Sequence, residues 1–186
     1  MAISHVTKKY AVEDAKIYVL TADPSGGSAT YGSAIDVPGI KSITLDGSMD
    51  VKSLRGDNQE LDVMSALSSV TGTINYAKES LDVAAALLGL SVTDAGSGSA
   101  ETATLEVLGS SDPAYVKLEA KCPSVDLVGG DLHLVLHKII PTGLPISGLA
   151  EEDYQLSAIP FRAAPLISSN KWISVVIHET AAALSS

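Results

Sequence analysis

The chain has 186 residues, enough for one well-buried domain but cramped for two, and its 22 acidic and 12 basic residues give a formal net charge of −10. That charge argues against a protein that grips nucleic-acid phosphates, and no apolar run approaches the ~18 residues of a membrane helix. Apolar residues nevertheless make up 46% of the sequence, so we expect a single domain that buries apolar surface against copies of itself.

The first half of the chain predicts a short strand followed by an unusually long hairpin. Residues 16–21 (KIYVLT) have strand-forming composition and end at a turn cluster (DPSGG). From residue 40 an alternating segment, in which Gly47 allows a bulge, leads to a turn at residues 55–58 (RGDN). The apolar residues Leu61, Val63 and Leu67 follow less regularly, and residues 70–77 are again strand-like, so residues 40–77 predict a hairpin. An arm of about fifteen residues would reach about 50 Å, against an expected radius of gyration of about 16 Å. The tip should therefore either fold back or project onto a neighbouring molecule, and our hypothesis is the second.

One helix is predicted over residues 80–88. Ser80 is a suitable N-cap, and Gly89 is a suitable C-terminal cap. The residues between them are apolar on every side, whereas a surface helix keeps a polar stripe. We expect the outer side of this helix to pack on another subunit; enclosure by the chain's own sheet and loops is the alternative. The residues expected at that interface are Leu81, Ala84, Ala85 and Leu88.

The second half of the chain predicts more strands. A Gly/Ser-rich loop covers residues 91–100, and residues 180–186 resemble a frayed helical turn. Strands are predicted over residues 102–108, 115–122, 132–140, 154–163 and 171–178. One helix among seven or more strands predicts a mainly β fold, a β-sandwich or part-barrel with one flanking α-helix and a long projecting hairpin.

The sequence offers no convincing catalytic, cofactor or metal site. Cys122, the only cysteine, lies in an alternating segment typical of a buried thiol on a strand. His133 and His137 would lie ~13 Å apart on a strand, too far to share a metal ion. The acidic run at residues 151–153 is typical of a solvated turn. Phosphate-binding, dinucleotide-binding and nucleophile-elbow motifs are missing from the sequence, so we expect no enzyme and no cofactor.

Several segments, taken in order, resemble the major tail proteins, or tail tube proteins, of long-tailed bacteriophages. They are residues 37–43 (VPGIKSI), 54–58 (LRGDN), 69–73 (SVTGT), 77–83 (AKESLDV), 129–133 (GGDLH) and 172–173 (WI). The resemblance spans most of the chain, and none of its segments is a catalytic signature. It implies a β-sandwich subunit that closes into six-membered rings, with the strands joined in a continuous barrel around a channel.

The resemblance also implies partners and a location. Rings would stack into a tube on a tape-measure protein, with tail terminator and tail-tip or baseplate proteins at its ends. Double-stranded DNA would pass through without specific binding. The protein would belong to the virion and be assembled in the host cytoplasm, in keeping with an N-terminus that shows no secretory signal. A long hairpin loop contacts the adjacent ring in this family, which implies that role for Leu54, Arg55, Gly56, Asp57, Asn58, Gln59 and Glu60.

The family resemblance also suggests which positions face the channel. A neutral or acidic lining would let DNA slide, because cationic contacts add counterion-release affinity. We expect polar positions of the two hairpin strands to face the channel and Ile43 and Leu45 to lie on the packed side. The channel-facing residues are expected to be Ser42, Thr44, Asp46, Thr71, Thr73 and Asn75.

Two other classes of protein compete with this interpretation. A β-sandwich binding module, such as a virion decoration or adhesion domain, would normally present exposed aromatic residues or a metal site. An outer-membrane barrel would need aromatic girdles and an export signal, and aromatic residues are only 4% of this sequence. The binding module is therefore the main alternative.

Overall fold

A computed structural model describes residues 5–9, 11–57, 59–125, 130–148, 151 and 155–185. It contains eleven strands, one α-helix and one 3-10 turn in these residues. The elements are β1 (Asp14–Ala22), β2 (Thr30–Tyr31), β3 (Ile35–Asp36), β4 (Ile40–Gly56), β5 (Gln59–Tyr76), α1 (Leu81–Leu88), β6 (Thr93–Ala95), a 3-10 turn (Gly98–Ala100), β7 (Thr102–Thr104), β8 (Val116–Pro123), β9 (Asp131–Pro141), β10 (Ser157–Ala163) and β11 (Ile173–His178). The predicted mainly β fold is confirmed.

Nine of the strands form one antiparallel sheet. Its main path runs β2-β1-β8-β9-β10-β5-β4, and β3 and β11 pair with β1 and β9. Strand β9 pairs with β8 along one edge, while its other edge pairs with β11 through Asp131–Leu136 and with β10 through Ile139–Pro141. The sheet therefore divides into two branches at β9, and side chains from β1, β8, β5, β10 and α1 meet in one core.

Helix α1 begins and ends where the sequence predicted. Ser80 has extended backbone angles, and its hydroxyl accepts a hydrogen bond from the Val83 N–H at 3.4 Å. Gly89 adopts φ 66° and donates its N–H to the Ala85 carbonyl, which ends the helix in a left-handed cap. An added Cβ at Gly89 would also lie 2.8 Å from the Asp112 carbonyl oxygen. Both helix ends are thus determined by short-range hydrogen bonding.

The helix is enclosed by its own chain. Residues 83–88 are each at most 7% exposed, and α1 packs against β1, β3 and β9. Of the residues expected at a subunit interface, Ala84, Ala85 and Leu88 are already buried and only Leu81 is half-buried. The apolar helix therefore needs no partner subunit to cover it, and enclosure within the chain, the alternative interpretation, explains its composition.

Three other local predictions need correction. The strand predicted over residues 102–108 ends at Thr104, and the predicted loop at residues 91–100 contains β6, which pairs with β7 in a separate exposed hairpin. The tail over residues 181–185 is not helical. Its Ala182 N–H donates to Asp131, and the Ser185 carbonyl accepts from the Tyr18 hydroxyl, so hydrogen bonds to the sheet replace those of a helical turn.

We predict that Ser80→Ala lowers the free energy of unfolding by about 1 kcal/mol, because it removes the side-chain acceptor at the start of α1. Urea denaturation followed by circular dichroism would measure the change. Ser91→Ala, in the exposed segment after the helix, is the matched control and should leave the midpoint unchanged. Equal effects of the two substitutions would contradict a capping role.

Asp23 joins the end of β1 to the loop after β10. Its carboxylate accepts hydrogen bonds from the Ile167 N–H (2.9 Å), the Ser168 N–H (3.0 Å) and the Lys138 ammonium (2.9 Å). Burial acts to raise the pKa of Asp23, but these donors outweigh it, so the pKa lies well below its usual range. The ionised carboxylate therefore contributes to the stability of the folded chain.

We predict that Asp23→Asn destabilises the protein at pH 7 more than at pH 3. The folded chain has the lower pKa, so the contribution of Asp23 is present above about pH 4 and is lost as the pH falls below the ordinary value of about 3.9. Urea midpoints of the two proteins at both pH values would test this. The exposed Asp112→Asn provides a control, and a difference between wild type and Asp23→Asn that is independent of pH would refute the argument.

Candidate assembly surface

The β4–β5 hairpin is rooted in the core by a close approach of strands. Strand β5 pairs with β10 through Val70–Tyr76, which places Gly72 opposite both Leu45 and Phe161. A Cβ at Gly72 would lie 2.6 Å from Cζ of Phe161 and would also overlap the Thr44 carbonyl oxygen. Glycine at this position therefore allows the Phe161 ring and the β4 backbone to approach β5 closely.

Beyond this root the hairpin leaves the sheet. Nine residues of β4 (residues 48–56) and eleven of β5 (residues 59–69) pair only with each other among the described strands. The free arm is about 30 Å long at ~3.3 Å per residue, and nearly all of its side chains are exposed. The predicted hairpin at residues 40–77 is confirmed, and it projects from the fold.

The register gives the arm an apolar face. Side chains alternate between the two faces of a strand pair, and the bulge at Ser68 shifts this alternation on β5. The face that continues outward from the core carries five large apolar side chains that are 36–63% exposed. They are Leu45, Met49, Val51, Val63 and Leu67, which we call the apolar hairpin face. A continuous row of exposed apolar side chains is typical of an interaction surface.

The opposite face brings together the six residues predicted to line a channel. They form three cross-strand pairs: Ser42 with Asn75, Thr44 with Thr73, and Asp46 with Thr71. The Asn75 amide donates to the Ser42 hydroxyl at 3.0 Å, and the Thr73 N–H donates to the Thr44 hydroxyl at 3.1 Å. We call these six residues the polar hairpin face. The structure thus places all six residues on one face of the hairpin. That this face lines a channel stays a prediction.

The polar hairpin face continues onto β10. Ala158, Pro160 and Arg162 lie next to Asn75, Thr73 and Thr71, and all three are exposed, whereas the intervening residues of β10 are buried. Arg162 thus adds one cation beside the Asp46–Thr71 pair. The surface is therefore mainly neutral, with a single acidic and a single basic residue.

The tip of the hairpin is a tight turn. Gly56 pairs with Gln59 and Arg55 with Glu60, so these residues belong to the strands, and the turn that contains Asp57 is shorter than the predicted turn at residues 55–58. Asp57 has φ 49°, in the left-handed region typical of tight hairpin turns. Leu54, Arg55, Gln59 and Glu60 are exposed, and Asn58 lies outside the described residues. The contact of the tip with an adjacent ring stays a prediction.

One edge of the sheet is open along its whole length. Strand β4 lies at the end of the strand order and, within the described part of the chain, pairs with β5 alone. Along its 17 residues, alternate residues therefore direct their backbone N–H and C=O groups away from β5. An edge of this length is a template for pairing with a strand of another molecule.

An open apolar groove separates β4 from the other branch of the sheet. Its volume is about 640 Å³, and Ile43 and Leu45 line one side. Leu132, Leu134, Ile173 and Val175 of β9 and β11, together with Cys122 of β8, line the groove from the other branch. Among the described strands, β4 pairs with β5 and β11 pairs with β9, so no backbone hydrogen-bond ladder joins the two branches across the groove.

The residues that the sequence offered as candidate ligands or nucleophiles have different surroundings in the structure. Cys122 lies on a strand, β8, as predicted, but it is half-buried and not the fully buried thiol that the sequence predicted. His137 hydrogen-bonds the Ser174 hydroxyl at 2.7 Å, and burial lowers the pKa of His137 below its usual value. His133 lies apart from His137 and instead meets Asp131 and His178, a group that sequence reasoning missed. Within residues 151–153, only Glu151 is described, and it is exposed.

Comparison with known proteins adds no family assignment: no family model matches this sequence, and a search of curated proteins gave no significant match. The described part of the chain contains no helix with the length and hydrophobicity of a membrane span. The resemblance to tail tube proteins therefore stays a prediction from the sequence segments.

Proposed function

We propose that this protein is a structural subunit that polymerises with copies of itself, as a tail tube protein of a long-tailed bacteriophage. The observation that carries the proposal is the apolar hairpin face, a row of large side chains on an arm that reaches about 30 Å beyond the sheet. A chain acting alone would expose this face to water. Copies of the chain stacked on one another would bury it.

The open edge of β4 and the adjacent groove support the same proposal. A strand from a neighbouring subunit that paired with β4 would satisfy its free backbone groups and continue the sheet from one subunit to the next. Six such subunits in a ring would form a closed barrel, the arrangement that the family resemblance implies. Burial of apolar surface would contribute about 25 cal/mol per Å² to the free energy of assembly. The cost of ordering the arm would reduce this gain.

In the proposed tube, the polar hairpin face lines the channel and the hairpin tip contacts the adjacent ring. The face carries Asp46 and uncharged polar side chains, with Arg162 at its margin, so it offers few cations to bind phosphates. DNA would therefore pass with little retention. The tape-measure, terminator and tail-tip or baseplate proteins are proposed partners on the same family resemblance.

Negative-stain electron microscopy of the concentrated purified chain tests the proposal. Rings or tubes with an axial channel are the expected result. Monodisperse monomers at the highest soluble concentration would overturn it and would favour the alternative, a β-sandwich binding module. A cryo-microscopy map of the tubes would test the lining, and a strongly positive channel would refute the role of the polar hairpin face.

A further inference from the structure

Three metal-ligating side chains meet where β9 pairs with β11. Asp131 and His133 are two residues apart on β9 and share a face. His178, the last residue of β11, lies directly opposite Asp131 in the register, and Val176 lies opposite His133. The imidazole rings of His133 and His178 are 4.5 Å apart between centroids. The strand register therefore gathers two imidazoles and one carboxylate.

The separations within this group suit a single metal ion. One ligand atom from each residue can be chosen so that all three lie within 4.8 Å of one another. Nε2 of His133 and Oδ1 of Asp131 are 3.4 Å apart. Two ligands of a tetrahedral ion with bonds of about 2.1 Å lie about 3.4 Å apart. Asp131 and His133 are thus already at the required separation.

The same two atoms are buried without a hydrogen-bond partner. Asp131 is 1% exposed and His133 is 4% exposed, and Asp131 Oδ1 and His133 Nε2 lack partners that meet hydrogen-bond geometry. An unpartnered buried polar atom costs about 1–3 kcal/mol, so such atoms are rare in folded proteins. A cation bound between them would satisfy both.

The other polar atoms of Asp131 and His133 face neighbouring backbone and side-chain groups. Asp131 Oδ2 accepts the Ala182 N–H at 2.8 Å and lies 3.7 Å from the Lys121 ammonium. His133 Nδ1 lies 4.0 Å from Oε1 of Glu119, so Nε2 is the ring nitrogen that faces Asp131 and would bind the metal ion.

We propose that Asp131, His133 and His178 form a binding site for a divalent transition-metal ion such as Zn²⁺. Two imidazoles and one carboxylate are ligands of the kind that Zn²⁺ takes, with a fourth position for water. His178 is only half-buried, which gives the ion a route in. The bound ion would join β9 to β11 and hold the segment over residues 180–185 against the sheet. This site is independent of the proposed assembly.

Zinc titration of the full-length purified chain, stripped with a chelator and kept below the concentration of assembly, tests the site. Isothermal titration calorimetry should give one Zn²⁺ per chain, and Zn²⁺ should raise the melting temperature. His178→Gln should weaken binding by at least 100-fold, because substitutions that only remove a group orienting a ligand already cost 10–100-fold. His178 is the preferred position because it is the least buried ligand, and circular dichroism would check that the variant folds.

His137→Gln is the matched control, since His137 lies on the same strand but bonds Ser174 outside the group. It should bind one Zn²⁺ with unchanged affinity. A wild-type chain that binds no Zn²⁺ would overturn the proposal. So would one Zn²⁺ per chain bound equally well by His178→Gln and the wild type. Because monomers are used, failure of this test is distinct from failure to form tubes.

Discussion

Replacing both Val51 and Val63 with aspartate should abolish assembly at concentrations where the wild-type chain forms rings or tubes. Both side chains lie on the apolar hairpin face and are more than half exposed in the single chain. Each substitution removes about 1 kcal/mol of apolar burial, because roughly half of each valine is left to bury, and adds a charge that must be desolvated. The concentration needed for assembly should rise by roughly 100-fold or more. Light scattering and sedimentation velocity would measure the change.

Met64→Asp provides the matched control for this experiment. Met64 is 71% exposed on the same arm but lies on the opposite face, directly across from Lys52. The new carboxylate can pair with that ammonium, so the substitution should leave assembly close to the wild-type level. Equal loss of assembly in Met64→Asp would show that the arm has no distinct apolar contact face. Unchanged assembly in the double variant would remove the main support for a polymerising subunit.

Among substitutions that add one methyl group to a glycine of the hairpin, Gly72→Ala should be the most destabilising. The added methyl group overlaps the Thr44 carbonyl oxygen and would lie 2.6 Å from the Phe161 ring, so β4, β5 and β10 must separate locally. Overpacking of this kind costs typically about 1–3 kcal/mol, and a backbone neighbour leaves little room for relaxation. Urea denaturation would give the loss in the free energy of unfolding, and hydrogen exchange should show faster opening of residues 42–46.

Gly47→Ala tests whether this effect belongs to the position or to the residue type. Gly47 lies on the same strand pair, but an added Cβ there would meet only Leu67 Cδ1 at an ordinary 3.8 Å. Its stability should equal or slightly exceed that of the wild type, because glycine in a strand interior weakens the strand. Similar losses at Gly47 and Gly72 would refute the account of the hairpin root.

The features that the sequence predicted well depend on residues close together in the chain. The limits of α1 follow from the Ser80 hydroxyl and from the positive φ of Gly89, each of which acts within four residues. Period-two alternation also places Ser42 and Thr44 on one side of β4, and Thr73 and Asn75 on one side of β5. Local geometry was sufficient for these features, whereas the pairing of the two strands depends on the bulges at Leu61 and Ser68.

Sequence reasoning failed where the outcome depended on distant segments. The apolar composition of α1 is compatible with burial by another subunit or by the chain itself, and only the packing of β1, β3 and β9 around the helix distinguishes the two. His178 lies 45 residues after His133 in the sequence, so their proximity requires the β9–β11 register, which no local motif encodes.

The apolar hairpin face is the clearest example of what the sequence determined and what only the tertiary structure decided. By itself the sequence determined a mainly β chain with a capped apolar helix and a long hairpin. On β5, however, Ser68 and Leu61 have no partner on β4, and each such bulge reverses which side of the strand the following residues face. The apolar side chains of β5 therefore looked irregular in sequence. Only the tertiary structure decided that they form one surface with those of β4, because side-chain direction depends on the hydrogen-bond register.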